Sequence, residues 1–408
     1  MAKDQRNYFA DKHPWSRTKD ALLGCYLTPY FQKVYRPSRD GIVYVDAFAG
    51  AGKFDNGDIG SPLIALSKVQ AIARMQKGKR LVQFIFAETR QESRAALLDN
   101  FSEARGNSRY VKEPIICADY ADAMQKALTV TCVGSKRPST VFYYVDPFGV
   151  KDLRMDCLLQ SPNPRHTEAL VNFNSIGFLR DACAALKVRF ELPQGVEVFD
   201  VGFDASVKAE ERYRRLTECI GSEDWVDIIR LFQEGKHDFW MAEYEIARLF
   251  CRSAGSAYDY VTNMPIKDMT QRVELGGLVK YRLIHMTNNA DGCVLMNDNM
   301  LKRNETFQVP QPGLFTVDVD GRDVEPGSIA RCLEETIAKL PINKRVKMGE
   351  IAAAIISGCG VFERSTSLLK TNVGPLLEAG VLKRDVEYTK TGKPKQSFNP
   401  SDKVYRIR

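Results

Sequence analysis

Apolar positions along the chain follow two periods, and their alternation predicts the architecture. In the first forty residues Trp15, Leu22, Leu23, Tyr26, Leu27 and Tyr30 recur every three or four positions, as on one face of a helix. Pro37-Ser38 and Asp40-Gly41 break that pattern before a strand at Ile42–Ala47. Ser61-Pro62 predicts a helix start, with Ser as cap and Pro in the first turn; the helix runs past Met75 and stops at Gly78. Strands at Leu81–Ala87, Glu113–Ala118, Thr140–Val145 and Glu168–Phe173 then alternate with helices at Glu92–Ala104, Tyr120–Val130 and near Leu153–Leu159. Five buried-type strands separated by helices imply parallel βαβ units, a Rossmann-like sheet of the α/β class.

Residues 178–260 read as a helical insertion, with amphipathic pieces at Val207–Ile220, Trp225–Phe232 and Met241–Phe250. Tyr281–Thr287 and Cys293–Met296 read as an antiparallel strand pair that closes the sheet, joined through Asn288–Gly292. The first domain is thus expected to span 1–310, followed by a proline-marked linker at 311–326. From 327 to 408 the pattern predicts helices at Ile329–Leu340, Met348–Ser357 and Thr366–Ala379, then strands at Val381–Val386 and Lys403–Ile407. Three helices followed by a two-stranded wing is the order of a winged helix-turn-helix.

Charge changes the picture of that last segment. The chain of 408 residues has a formal net charge of +7. Pro326–Arg408 holds 15 Lys and Arg against 8 Asp and Glu, which leaves 43 of each sign in the remainder. A basic module on a neutral body points to a polyanionic partner, with Lys370 and Asn372 on the third helix and Lys390, Lys393 and Lys395 on the wing as candidate contacts. A winged helix that docks protein instead is the alternative. Composition elsewhere is that of a globular protein, 44% hydrophobic and 27% charged. No apolar run has membrane-spanning length, and the first fifteen residues lack the apolar core of a secretory signal. Ten scattered cysteines, without C-x-x-C or zinc spacing, suit reduced thiols in a cytoplasmic protein with no metal site.

The candidate chemistry gathers at the carboxyl ends of consecutive strands, where open α/β sheets bind ligands. After the first strand comes Asp46-Ala47-Phe48-Ala49-Gly50-Ala51-Gly52, whose glycines allow the backbone close to a ligand. The dinucleotide pattern needs a third glycine where Asp55 stands, and a helix that begins at once. A cationic, phosphate-free ligand fits better; a purely structural turn is the other reading. Glu88 closes the second strand and suits a ribose diol. Asp119 closes the third, either accepting from an adenine amino group or capping the helix at Tyr120. Asp146-Pro147-Phe148-Gly149 leaves the fourth strand, presenting a carboxylate to an acceptor amine and a ring to a planar base. Asn172 and Asn174 follow the fifth.

Taken together these motifs resemble the three-Cys-motif partner family, TcmP. The matching pieces are YVDAFAGAGKF at Tyr44–Phe54, GSPLIAL at Gly60–Leu66, FAE at Phe86–Glu88, YVDPFG at Tyr144–Gly149, VNFN at Val171–Asn174 and YRLIHMTNN at Tyr281–Asn289, over roughly residues 13–300. The resemblance implies a class I S-adenosylmethionine methyltransferase-like fold. It also implies a radical-SAM-like partner with three clustered cysteines. Asp46, Phe48, Gly50, Gly52, Glu88 and Asp119 would hold S-adenosylmethionine, and Asp146, Pro147 and Phe148 would position the acceptor. The Asp146 loop also looks like that of methyltransferases acting on adenine or cytosine amino groups, which reads Asp/Asn-Pro-Pro-aromatic. Here Phe148 replaces the second proline and Gly149 the aromatic. The expected function is methyl transfer to nucleic acid, DNA first. Its alternative is a non-catalytic cofactor-binding or DNA-binding partner protein. A nicotinamide oxidoreductase is disfavoured by the missing third glycine and the lack of a Tyr-x-x-x-Lys or catalytic His.

Overall fold

The computed structural model describes residues 14–35, 41–76, 81–132, 139–150, 152–160, 164–193, 203–268, 278–307, 315–317, 327–360, 363–385 and 397–407. One eight-stranded sheet forms its centre, in the order β3-β2-β1-β4-β5-β7-β6-β8. Strands β1 (Ile42–Asp46), β2 (Val82–Ala87), β3 (Ile115–Cys117), β4 (Thr140–Val145) and β5 (Thr167–Phe173) are parallel. Strands β1, β2, β4 and β5 are buried along their whole length and mostly apolar, because both faces are covered. Helices α1 (Pro14–Val34), α2 (Ser61–Met75) and α3 (Gln91–Arg105) pack on one face, against Tyr44, Phe84, Phe86 and Phe142. The opposite face is covered by α4 (Tyr120–Cys132), α5 (Met155–Leu159), α6 (Ser175–Leu186), α7 (Ala209–Ile220), α8 (Trp225–Gln233) and α9 (Phe239–Ala254). Chain order makes the sheet grow outward from β1 in one direction and from β4 in the other.

The closing strands differ from expectation. Strand β7 (Leu278–Thr287) runs antiparallel to β5, as the sequence predicts for Tyr281–Thr287, but its hairpin partner is β6 (Tyr260–Asp268). Cys293–Met296 lies instead within helix α10 (Ala290–Phe307). Asn289 decides this: its side-chain oxygen accepts the Asp291 N–H at 2.9 Å, and its carbonyl accepts from Gly292 and Cys293. A residue that satisfies these leading N–H groups starts a helix rather than a hairpin connection. Cys293, Met296 and Met300 then fall on one buried face. Strand β6 carries Pro265, which has no N–H to give the ladder, and the pairing with β7 shifts register just beyond it, between Ile266 and Lys267. Within the expected linker, Phe315–Val317 forms β8 on the outer edge of β6.

The C-terminal segment comprises α11 (Ser328–Lys339), β9 (Val346–Lys347), α12 (Met348–Cys359), α13 (Ser365–Glu378), β10 (Leu382–Arg384) and β11 (Lys403–Arg406). Its strands form a small antiparallel sheet, β10-β11-β9. This unit is docked on the main sheet. Cys293 and Val294 of α10 enter its apolar core. Ser357 of α12 accepts the Val261 N–H at 2.9 Å, and Asp298 of α10 accepts the Ser365 N–H at 2.9 Å. Lys347 pairs with Asp291 at 2.8 Å.

A buried ion pair ties the helical insertion to the closing strand. Arg282 of β7 donates Nε and Nη2 to Glu243 of α9, both at 2.7 Å, with both side chains almost fully enclosed. Ser175, the first residue of α6, donates to the same carboxylate. Removing one partner of such a pair strands a charge in the interior. Arg282→Met is therefore expected to cost about 3–5 kcal/mol in chemical denaturation, and adding Glu243→Leu to restore most of it. Equal losses for the single and double variants would show that the pair is not what holds α9 to the sheet.

Candidate functional site

The growth directions of the sheet part between β1 and β4, and a cavity of about 550 Å³ opens there at the carboxyl ends of the strands. That is where an open α/β sheet leaves room for a ligand. Phe48, Gly50, Gly52, Glu88, Asp119, Asp146, Pro147 and Phe148 all line it.

The glycine turn forms the floor. Gly50 and Gly52 have φ of 59° and 75°, a conformation that costs a residue with a side chain. A Cβ on Gly52 would also lie 2.9 Å from the Leu97 side chain. The turn is pinned between strands, Ala47 N–H donating to Tyr144 O and Ala49 N–H to Ala87 O, both at 2.9 Å. The chain then makes a small loop, in which Lys53 bridges Ile59, before α2 begins at Ser61. Ser61, expected as the helix cap, is its first residue; Gly60 holds the cap position, where a Cβ would lie 3.3 Å from the Gly52 carbonyl oxygen. No helix N-terminus therefore follows the glycines directly.

Asp46 is fully buried below this floor rather than on the cavity wall. Its Oδ1 accepts the Phe48 N–H at 3.3 Å. Burial pushes its carboxyl up to about 7, the Ser61 hydroxyl and the Phe48 N–H working against that, and the nearby carboxylates of Asp146 and Asp20 adding to it. Glu88 accepts the Arg90 N–H at 2.8 Å, which fixes its carboxylate at the β2 end. Asp119 accepts the Asp122 N–H at 2.9 Å and so caps α4 while still facing the cavity. Phe48 and Tyr120 stack with centroids 5.7 Å apart and planes 17° apart, giving the β1–β3 side an aromatic wall.

The β4–β5 side of the cavity holds what the sequence did not reveal. Asp146 is gripped by Lys19 of α1, whose Nζ lies 2.8 and 2.7 Å from Oδ1 and Oδ2. Asn172 donates Nδ2 to Asp146 Oδ1 at 2.6 Å, and the Tyr144 hydroxyl lies 3.4 Å from Oδ2. Asn172 thus acts through Asp146, while Asn174 caps α6 by accepting the Gly177 N–H at 2.8 Å. Lys19, Asp20, Asp152, Arg154 and Glu218 join the lining from elements far apart in sequence. No local motif marks them.

In the C-terminal unit Lys370 is exposed on α13, whereas Asn372 is half-buried and donates Nδ2 back to Leu368 O at 2.9 Å. Lys390, Lys393 and Lys395 lie outside the described residues. Among the described residues no helix is long and apolar enough to cross a membrane, and no group of three metal-ligating side chains occurs.

No protein-family model matches this sequence, and no curated protein is significantly similar to it. Solved structures with a similar course include a Legionella pneumophila protein of the DUF519 family, at 8% identity and TM-score 0.33, covering 74% of this chain and 97% of that one. A candidate sarcosine dimethylglycine methyltransferase from Galdieria sulphuraria matches at 9% identity and TM-score 0.24, over 67% of this chain and 85% of that one. Likeness at that level assigns neither fold nor activity, so the chemistry is argued from the cavity itself.

The buried Asp46 has a measurable signature. The folded protein holds this proton more tightly than the unfolded chain, where an Asp titrates near 3.8. Its contribution to stability is thus largest in acid and falls as pH rises through the folded value of about 7. Asp46→Asn should flatten that part of the melting-temperature profile between about pH 4 and 7. An unchanged slope would place the titrating proton elsewhere.

Proposed function

We propose that the cavity binds S-adenosylmethionine and that the chain transfers its methyl group to a nucleic acid, DNA first. The observation that carries the reading is the convergence of the glycine turn, Glu88, Asp119 and Asp146 on one cavity at the point where strand order reverses. Its charge supports the choice of ligand. Six carboxylates line it (Asp20, Glu88, Asp119, Asp146, Asp152, Glu218) against four cations (Lys19, Lys53, Arg90, Arg154). That balance disfavours a pyrophosphate and favours a sulfonium, and the delayed start of α2 removes the helix N-terminus that a pyrophosphate would use. Glu88 would take the ribose hydroxyls, with the base lying towards Tyr120 and Asp119. In the reaction the acceptor's lone pair bonds the methyl carbon while the carbon–sulfur bond breaks towards sulfur. The protein's share is alignment and exclusion of water.

The same reading places the chain beside the three-Cys-motif partner proteins, with a radical-SAM-like protein as a partner. In the C-terminal unit the order helix, strand, helix, helix, strand, strand suits a winged helix, with α13 and its exposed Lys370 turned to nucleic acid. One observation favours the alternative of a non-catalytic cofactor-binding partner protein: both oxygens of Asp146 are already engaged by Lys19 and Asn172.

Calorimetry with S-adenosylmethionine should show binding to wild type and a loss of about tenfold or more in Gly50→Val, from the strain of a branched residue at φ 59°. Absence of heat with wild type rejects the cofactor. Transfer of labelled methyl to DNA or RNA, abolished in Asp146→Ala, separates enzyme from partner protein; equal transfer in the variant rejects Asp146 as the positioning residue. Replacing Lys370, Lys390, Lys393 and Lys395 by Gln should weaken DNA binding and lower its salt dependence by about one unit of slope for each phosphate no longer neutralised. Unchanged affinity removes the nucleic-acid role of this unit.

A further inference from the structure

Resting on the S-adenosylmethionine reading, we infer that Lys19 and Asp20 of α1 cradle the amino-acid end of that cofactor, and that Lys19 leaves Asp146 to do so. The cavity runs along the ends of β3, β2, β1 and β4 in that spatial order. With the ribose at Glu88 and the base towards Asp119, the rest of the ligand crosses the glycine turn and ends beside Asp146. There α1 brings one cation and one carboxylate to the lining, Lys19 and Asp20. A zwitterionic amino acid needs that combination: an ammonium to meet its carboxylate and a carboxylate to meet its ammonium. The other lining cations answer acids elsewhere, Arg90 at Glu88, Arg154 at Asp156 and Lys53 at Glu103.

Lys19 at present meets a carboxylate of the protein, that of Asp146. Exchanging it for the ligand's carboxylate keeps one charge-assisted pair and changes its partner. Asp146 stays in place because Asn172 and Tyr144 still hold it, and it gains an open face for an acceptor's N–H group. Cofactor therefore binds before acceptor, and the engaged state of Asp146 is the ligand-free form of a working site.

Calorimetry on the full chain distinguishes these steps. S-adenosylhomocysteine carries the amino acid; methylthioadenosine is the same nucleoside thioether without it. Lys19→Met should weaken S-adenosylhomocysteine by roughly ten- to a hundredfold and leave methylthioadenosine unchanged, the latter also showing that the variant is folded. Asp20→Asn should shift the same ratio in the same direction, and Lys19→Arg should preserve it. Asp146→Asn should tighten S-adenosylhomocysteine, since Lys19 no longer has to leave a partner. Equal effects on both ligands, or none, overturn the cradle while the cofactor reading stands. Unchanged or weaker binding by Asp146→Asn overturns the exchange. A wild type that binds neither ligand removes the cofactor reading, and this inference with it.

Discussion

Three elements that are remote in sequence meet on the carboxylate of Asp146. Strand β4 carries it, α1 reaches it through Lys19, and β5 reaches it through Asn172. This aspartate stands at the end of a buried strand, close enough to buried Asp46 to help raise the latter's carboxyl, and a cation beside it offsets the like charge. Lys19 supplies that cation, and so fixes where the N-terminal helix crosses the cavity mouth. The position of α1 follows from this: its apolar face, Leu23, Tyr26, Leu27 and Tyr30, packs on the aromatic side of the sheet, while its first turns hold charged residues at the cavity. Packing sets the axis of the helix, and the ion pair selects which turn faces the ligand.

The far side of the sheet is organised by a second buried pair with a different consequence. Arg282 and Glu243 are enclosed, bidentate and joined by Ser175, so α6, α9 and β7 are fixed to one another at the end of β5. Helix α7 packs against this group and carries Glu218 to the cavity. The helical insertion is thus part of the site wall, although nothing in its own sequence announces a ligand.

Much of the fold was legible because strands buried on both faces are continuously apolar, and the breaks between them are marked by Gly, Pro and Asp. The residues read from the strand ends were legible for the same reason: once strand order is known, their carboxyl ends converge, and Phe48, Gly50, Gly52, Glu88, Asp119, Asp146, Pro147 and Phe148 share one cavity. Two kinds of feature were not legible. The first turned on capping: Asn289 makes a helix from a stretch that resembles a hairpin connection. The second was the set of partners brought in by tertiary packing. Lys19 and Asn172 are 127 and 26 residues from Asp146, and only the packed structure brings them together. Asp46 shows a related limit, since its place at the end of β1 reads as a ligand contact, while the pleat turns it under the floor.

The docked C-terminal unit bears on what kind of acceptor the site would serve. A basic module on a loose tether would raise the local concentration of nucleic acid without fixing where the target lies. Here α12 satisfies the backbone of β6, Asp298 meets the start of α13, and α10 contributes to both cores. Those contacts hold α13 in register with the sheet whose strand ends form the cavity. On the methyltransferase reading, a base must leave its stack to reach Asp146 and Phe148, at a cost of a few kcal/mol that contacts elsewhere must offset. A rigidly mounted second contact can supply that energy without losing it again to the ordering of a tether. Phe148 stands one place earlier than the aromatic of the Asp-Pro-Pro loops, yet its ring still lines the cavity beside Asp146. On that reading Phe148 and Asp146 would offer a ring and a carboxylate to a planar acceptor, while the contacts of α12 and α13 would hold the C-terminal unit on the same sheet.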